Sequence, residues 1–171
     1  MTGDHPLRVN ARPISAARFE EFGEVLGPLA ALASERSEAV TSWAALARTR
    51  WGPDLEINVV PKLSRERAYD TMEVHPASGQ VSVGFESGLV VVVFRPPEPD
   101  GSLTERDVIA FEVPKGCGIL IRQGVWHCGL RALEGDTAAL AVFRAGTSAN
   151  TNVRPTPLPI EVVQKVARAG T

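Results

Sequence analysis

Two short histidine segments hold the residue types in this chain that are best suited to chemistry. One reads Glu73-Val74-His75-Pro76 and is followed by Gln80, and the other reads Val125-Trp126-His127. Because side chains alternate along a strand, Glu73 and His75 would point to one face, to which a strand resuming at Gln80 can add a carboxamide. We therefore predict that the two segments meet inside one small-molecule pocket.

Such a pocket could work by proton transfer. Imidazole titrates near neutral pH and a partly desolvated carboxylate can act as a base, so the predicted catalytic residues are Glu73, His75 and His127. A carboxamide, an aromatic ring and two guanidinium groups could bind substrate, and the arginine fork suits a carboxylate. These predicted substrate-binding residues are Gln80, Arg122, Trp126 and Arg144. Lys62 is a further cationic candidate for the same carboxylate.

A divalent metal is the alternative to proton transfer. It could bind at Glu73, His75, Gln80 and His127 and polarise the oxygen atoms of a substrate. Two imidazoles, one carboxylate and one amide make a weaker site than three histidines. The residue types leave both routes open.

Several of these residues also have a purely structural interpretation. His75 could be a buried histidine satisfied by its neighbours, Trp126 could belong to the core, and Arg122 could form a surface ion pair. Cys128 lies beside His127 and could suggest a nucleophile, but no other residue indicates acyl transfer.

Composition excludes several classes of partner. The chain has 171 residues, a formal net charge of -2 at pH 7 and no apolar run at its N-terminus. This charge leaves no basic footprint for nucleic acid or anionic lipid, and no apolar stretch is longer than residues 89–94, which are too few to span a membrane. Cys117 and Cys128 are too few for a disulfide framework, although one bridge between them stays open. We predict a cytoplasmic protein whose partner is a small molecule.

The patterning predicts an all-β domain with two short helices. Alternating or continuous apolar runs separated by turn residues predict strands at residues 7–11, 56–60, 69–74, 80–85, 89–94, 108–113, 118–122 and 138–143. Ser15 can cap a short helix that passes through Phe19 and Phe22 and stops at Gly23. A C-terminal helix is predicted at residues 160–168, whereas residues 30–50 could be helix or loop. A single domain, residues 1–171, is expected, with residues 1–6 disordered and residues 155–171 packed outside a sandwich, barrel or jelly roll.

The two histidine segments resemble the paired motifs of the cupin superfamily. Its first motif, His-x-His followed by Glu and Gly, corresponds to Glu73, His75 and Gln80 here, with Gly84 or Gly88 beyond. Its second, running from Pro-x-Gly to a histidine, corresponds to Pro114, Gly116 and His127. The resemblance implies a cupin-type double-stranded β-helix, also called a jelly-roll barrel. It also implies metal ligands at Glu73, His75, Gln80 and His127, two of which depart from the usual residue type.

A closer resemblance is to the ureidoglycolate lyase (ureidoglycolate hydrolase) family. It is carried by Glu73-x-His75-Pro76-x-x-x-Gln80, the valine run at 90–93, Gly124-Val125-Trp126-His127 and Phe22-Gly23-Glu24-Val25, and it covers residues 7–154. The resemblance implies a homodimeric lyase of purine and allantoin catabolism that cleaves (S)-ureidoglycolate to glyoxylate and urea. A nickel or manganese ion is a possible cofactor.

Several pocket positions depart from the family pattern. An arginine of that pattern is replaced by Val74, its second histidine and following proline by Cys128 and Gly129, and an acidic residue by Phe143; residues 82–84 and 121–122 also differ. These departures keep two alternatives open. One is a cupin isomerase, epimerase or dehydratase acting on another small acid, and the other is a non-catalytic cupin that binds a small ligand.

Overall fold

The computed structural model describes residues 5–27, 35–36, 41–42, 49, 51–52, 54–64, 68–95 and 104–164. Thirteen strands are present in this part of the chain: β1 (Leu7–Pro13), β2 (Gly23–Leu26), β3 (Glu35–Arg36), β4 (Thr41–Ser42), β5 (Leu55–Lys62), β6 (Ala68–Val74), β7 (Gln80–Gly84), β8 (Leu89–Phe94), β9 (Val108–Val113), β10 (Gly118–Ile121), β11 (Arg131–Ala132), β12 (Thr137–Arg144) and β13 (Asn152–Val163). One α-helix, α1 (Ala16–Phe19), and two 3-10 turns, Glu105–Asp107 and Ser148–Asn150, complete the described elements.

Two main sheets face each other. One has six strands in the order β11-β8-β9-β1-β13-β6, and the other has five in the order β2-β10-β7-β12-β5; β3 and β4 form a separate pair. From β7 to β13 the chain repeatedly passes from one sheet to the other, and all neighbours are antiparallel except β1, which runs parallel to β13 and β9. This winding is the double-stranded β-helix, or jelly roll, that the cupin resemblance implies.

The core between the sheets is built around aromatic and valine side chains. Phe19 of α1 contacts Phe111 of β9 edge to face, with ring centroids 5.4 Å apart. Every residue of β8 is buried, as the continuous apolar run predicts, because its side chains fill two clusters. Val91 and Val93 belong to the cluster between the sheets, whereas Val92 belongs to a second cluster shared with β1, β6 and β13.

The predicted C-terminal helix is wrong within the described residues. Residues 160–163 are the end of β13, which pairs with β1 and β6 inside the six-stranded sheet rather than packing outside it. Pairing with β6 shifts register between Pro155 and Ile160, so the prolines, which lack an N–H donor, fall where the ladder is interrupted. The remainder of the predicted helix, residues 165–168, lies outside the described residues.

The N-terminal helix is confirmed, but its end is misplaced. Ser15 caps it by accepting a hydrogen bond from the Arg18 backbone N–H at 3.4 Å, and the helix ends at Phe19. Gly23 instead begins β2, where a Cβ atom would lie 1.8 Å from the Leu120 carbonyl oxygen. Glycine is therefore required by the close approach of β10 and not by a helix stop.

Two further predictions are only partly covered by the structure. Of residues 30–50, the structure describes β3, β4 and residue 49, and of residues 1–6 it describes the exposed His5 and Pro6. No helix in the described part of the chain is long and apolar enough to cross a membrane.

Candidate active site

Backbone pairing brings the two histidine segments together. The Glu73 N–H donates to the His127 carbonyl oxygen at 2.7 Å, and the His127 N–H donates to the Glu73 carbonyl oxygen at 2.9 Å. His127 also forms a bridge with Val93, and the Cys128 N–H donates to the Val92 carbonyl oxygen at 2.9 Å. The segment that contains His127 is therefore held between β6 and β8, which confirms that the two segments meet.

Four side chains converge at this point. His75 Nε2 lies 2.9 Å from Gln80 Oε1, and His127 Nε2 lies 3.1 Å from the same oxygen and 3.3 Å from Glu73 Oε1. His75 and His127 are buried, with ring centroids 5.2 Å apart, while the Glu73 side chain keeps 30% of its surface exposed. One ligand atom from each of Glu73, His75 and His127 lies within 4.8 Å of the others.

Hydrogen bonds behind the rings determine where the imidazole protons lie. His127 Nδ1 is 3.0 Å from the Val125 carbonyl oxygen, which can only accept, so Nδ1 carries a proton. His75 Nδ1 is 3.0 Å from Thr151 Oγ1, whose own proton is donated to the Thr147 carbonyl oxygen at 3.0 Å. In their neutral forms both rings therefore direct the Nε2 lone pair towards Gln80 and Glu73. Histidines that bind metals are oriented in this way.

The donor set fits a divalent cation. Gln80 Nε2 donates to Ser82 Oγ at 2.9 Å, and this bond turns Gln80 Oε1 towards the two inward lone pairs. Gln80 Oε1 and the Nε2 lone pairs of His75 and His127 are all acceptors, so a cation among them would stabilise this arrangement. Two nitrogen and two oxygen ligands suit a first-row transition metal. Without a metal, these acceptors find a donor only if the Gln80 amide is flipped so that its NH2 group faces the rings, or if one imidazole carries a second proton.

Burial and neighbouring charges set the protonation of this cluster. Burial acts to raise the pKa of Glu73, but the hydrogen bond that His127 Nε2 donates when the ring is protonated, together with the charges of His127, His75 and Lys62, lowers it below its usual value. Burial lowers the pKa of His75, helped by the charge of His127 and opposed by Gln80 and Glu73. At neutral pH the cluster thus contains an ionised carboxylate beside a neutral His75.

The cysteines take no part in this chemistry. Cys117 and Cys128 are both buried and free, so they do not form the disulfide that the sequence left open. Burial raises the pKa of Cys128 to about 12, and no thiolate is available at neutral pH to act as a nucleophile.

Two residues near the cluster were not recognised as functional from the sequence. Thr151 orients His75, and Phe143 packs edge-on against the His75 ring with centroids 5.1 Å apart. Phe143 stands out in the sequence only as a departure from the family pattern, and Thr151 gives no signal, because its contact depends on the turn that follows β12.

In the described part of the chain, the contacts of the other predicted substrate-binding residues are with groups other than the four converging side chains. The Arg122 guanidinium pairs with Glu24 at 3.1 Å and donates to the Glu20 carbonyl oxygen. Arg144 is exposed at the end of β12. Trp126 packs against the second apolar cluster, with the Arg154 guanidinium 5.2 Å above its ring. Their roles in substrate binding stay predictions.

The fold and the site together define a cupin-type domain. Its two sheets wind as a double-stranded β-helix, and the residues that converge inside it occupy the two cupin motif positions. The chain belongs to the ureidoglycolate lyase family, whose model, described as ureidoglycolate lyase, matches residues 6–163.

A curated relative is similar over most of its length. Ureidoglycolate lyase 2 of Rhizobium meliloti (strain 1021) is 29% identical over 147 residues, which cover 81% of this chain and 87% of the relative. The family resemblance drawn from the motifs is thereby confirmed. The match indicates a lyase and does not favour the alternative of an isomerase, epimerase, dehydratase or non-catalytic binder.

Solved structures resemble the chain more distantly. An oxalate oxidase in complex with the substrate analogue glycolate has a TM-score of 0.41 and 13% identity, covering 60% of this chain and 46% of that one. A salicylate 1,2-dioxygenase mutant from Pseudoaminobacter salicylatoxidans in complex with gentisate has a TM-score of 0.39 and 16% identity, covering 61% of this chain and 25% of that one. This chain therefore spans less than half of either structure, and the family match alone carries the assignment.

Proposed function

We propose that this chain is a ureidoglycolate lyase that cleaves (S)-ureidoglycolate to glyoxylate and urea, a step of purine and allantoin catabolism. The observation that carries the proposal is the convergence of an ionised Glu73 with the inward Nε2 atoms of His75 and His127 around Gln80. Membership of the ureidoglycolate lyase family supports this substrate.

The cleavage needs a proton to move from oxygen to nitrogen. As the carbon–nitrogen bond breaks, the hydroxyl group loses its proton and becomes the aldehyde of glyoxylate, while the departing ureido nitrogen gains a proton and leaves as urea. Glu73 is the partly exposed member of the cluster and is ionised, so it can take the hydroxyl proton and return it to the nitrogen. Glu73 Oε1 lies 3.3 Å from His127 Nε2, which leaves Oε2 for the substrate.

A metal would act alongside this proton transfer. Glu73, His75, Gln80 and His127 would hold it, and it would supply a Lewis acid that polarises the hydroxyl or carboxylate oxygens of the substrate. We propose nickel or manganese, because imidazole, carboxylate and amide oxygen ligands suit both ions.

The direct test is an assay on purified protein. The protein is stripped with a chelator, portions are reloaded with nickel, manganese or zinc, and glyoxylate is trapped after addition of (S)-ureidoglycolate while urea is measured in parallel. We expect equal amounts of the two products, with the highest rate in the nickel or manganese sample. No glyoxylate above background, with or without any of these metals, would rule out the function.

We further propose a two-fold homodimer formed through the outer face of the five-stranded sheet. Ile57 and Val59 of β5 are 65% and 62% exposed, and their cross-strand neighbours on β12, Val142 and Leu140, are also apolar. The outer face of a solvated antiparallel sheet is normally polar. Leu55 of β5 is also 54% exposed, so the exposed apolar patch lies on β5 and β12, whereas every residue of β10 is buried. A second copy of the same chain supplies a matching apolar face.

Replacing Ile57 with lysine is expected to convert the dimer to a monomer, because the interface would then bury an unpaired charge. Light scattering coupled to size-exclusion chromatography measures the mass of each form. Val153→Lys is the matched control, since Val153 is 60% exposed but lies on the six-stranded sheet. A monomeric wild type, or a dimer that persists in Ile57→Lys, would contradict the proposed interface.

We propose a cytoplasmic location from the state of the two cysteines. Both cysteines are buried and reduced, which suits a reducing compartment. Fractionation of the native host with an antibody against the chain tests this, and recovery in an extracytoplasmic fraction would overturn it.

A further inference from the structure

A cleft opens beside the catalytic cluster, between the end of β5 and the start of β6. It has a volume of about 490 Å³ and is lined by Lys62 of β5, by Thr71 of β6, and by Gly129 and Arg131 from the segment that follows His127. We call it the β5–β6 cleft.

The walls of this cleft continue into the active site. Thr71 lies two residues before Glu73, and Gly129 lies two residues after His127. Because Glu73 and His127 pair through both backbone hydrogen bonds, their flanking residues run side by side from the cluster to the cleft. This pairing places the Thr71 and Gly129 walls of the cleft next to the cluster.

The cleft offers positive charge next to the catalytic carboxylate. Lys62 is half-buried on β5, and its charge acts on Glu73. Arg131 is held in place by its guanidinium, which lies 3.5 Å above the Tyr69 ring. Among the described residues that line the cleft, Asp70 is the only carboxylate beside Lys62 and Arg131, so this part of the lining favours an anionic ligand.

We propose that the β5–β6 cleft receives the carboxylate of the substrate and that Lys62 binds it. This inference rests on the proposed lyase function, whose substrate carries a carboxylate at the carbon next to the one where the bond breaks. Lys62 suits the role better than Arg122, whose guanidinium is already paired with Glu24. An ammonium group that burial has partly stripped of water gains from a carboxylate partner.

The test uses a ligand that cannot be cleaved. Oxalurate has the carboxylate and ureido groups of ureidoglycolate but a carbonyl in place of the carbinol, and oxaluramide replaces its carboxylate with a neutral amide. Calorimetry on metal-loaded protein measures the binding of both, and steady-state kinetics measures KM and kcat for ureidoglycolate. The variants are Lys62→Met, which keeps the aliphatic stem, and Lys62→Arg, which keeps the charge. The control is Lys115→Met on the exposed turn between β9 and β10.

We expect Lys62→Met to weaken oxalurate binding and raise KM by about 10- to 100-fold, the usual effect of a charge-assisted hydrogen bond, while kcat changes much less. Oxaluramide should bind wild type and Lys62→Met equally, and Lys62→Arg should recover most of the oxalurate affinity. Unchanged oxalurate binding in Lys62→Met would overturn the proposal. So would a fall in kcat with a shifted pH profile and an unchanged KM, because Lys62 would then act only on the charge of Glu73. Absence of ureidoglycolate cleavage by wild type would count against the lyase function, whereas oxalurate binding tests Lys62 separately.

Discussion

Replacing His127 with glutamine is expected to lower kcat/KM for ureidoglycolate by about a thousandfold, within the range typical for the loss of a group that supports proton transfer. His127 Nε2 lies near both Gln80 Oε1 and Glu73 Oε1, and a protonated His127 lowers the pKa of Glu73 through its hydrogen bond and its charge. Glutamine keeps a polar side chain in a fully buried position but cannot hold both partners in the same geometry. The metal content of the purified variant should fall in parallel, because one of the two imidazole ligands is gone.

The chain provides a matched control in its third histidine. His5 is exposed near the N-terminus, so His5→Gln should leave both activity and metal content unchanged. Because His127 is fully buried, thermal unfolding of the variant is followed by circular dichroism. His75→Gln is prepared as a second variant, since its ring contacts the same Gln80 oxygen. Retention of wild-type activity by folded His127→Gln and His75→Gln would remove both residues from the mechanism.

Glu73→Gln is expected to reduce kcat by about a thousandfold or more, with a much smaller change in KM. The variant is nearly isosteric and keeps the backbone pairing with His127, but its amide cannot accept the hydroxyl proton. The pKa of Glu73 is lowered below its usual value, so wild type contains the carboxylate at neutral pH. The amide of the variant has no such proton to lose, so raising the pH should not recover the loss. Rapid glyoxylate trapping across the neutral range measures this effect.

The metal content of Glu73→Gln separates two roles of the carboxylate. If the variant binds the metal and is inactive, Glu73 acts on the proton; if activity returns when excess metal restores occupancy, Glu73 serves only as a ligand and the proposed base is wrong. Glu21→Gln is the control, because Glu21 forms an exposed ion pair with Arg95 at 3.2 Å and lies outside the cluster.

Local patterns in the sequence were sufficient for most of the β elements. The alternation of apolar residues and the turn residues between them predict the strands from β5 to β10 and β12 within one or two residues, because a strand's side-chain period is local. The Ser15 cap is also local, since it joins residues three apart. The C-terminal prediction fails because the pairing of β13 with β1 and β6 decides its conformation, and these partners are distant in the sequence.

The residue types of the site could likewise be selected from sequence, although their roles could not. Spacing places Glu73 and His75 on one face, and the motif resemblance connects them to His127. The tertiary structure then decides that Arg122 pairs with Glu24, whereas Lys62 lies beside the catalytic carboxylate. Such choices depend on sheet order and register, which no local pattern encodes.

The two histidine segments show most clearly which features the sequence determined and which the tertiary structure decided. The sequence by itself determined that a carboxylate, two imidazoles and a carboxamide were available at strand ends. Only the tertiary structure decided that His127 pairs with Glu73 through the backbone and that Thr151 turns the His75 lone pair inward. The physical reason is that residue type and strand period are properties of short segments, whereas hydrogen bonds between distant segments form only when the packed sheets bring them into register.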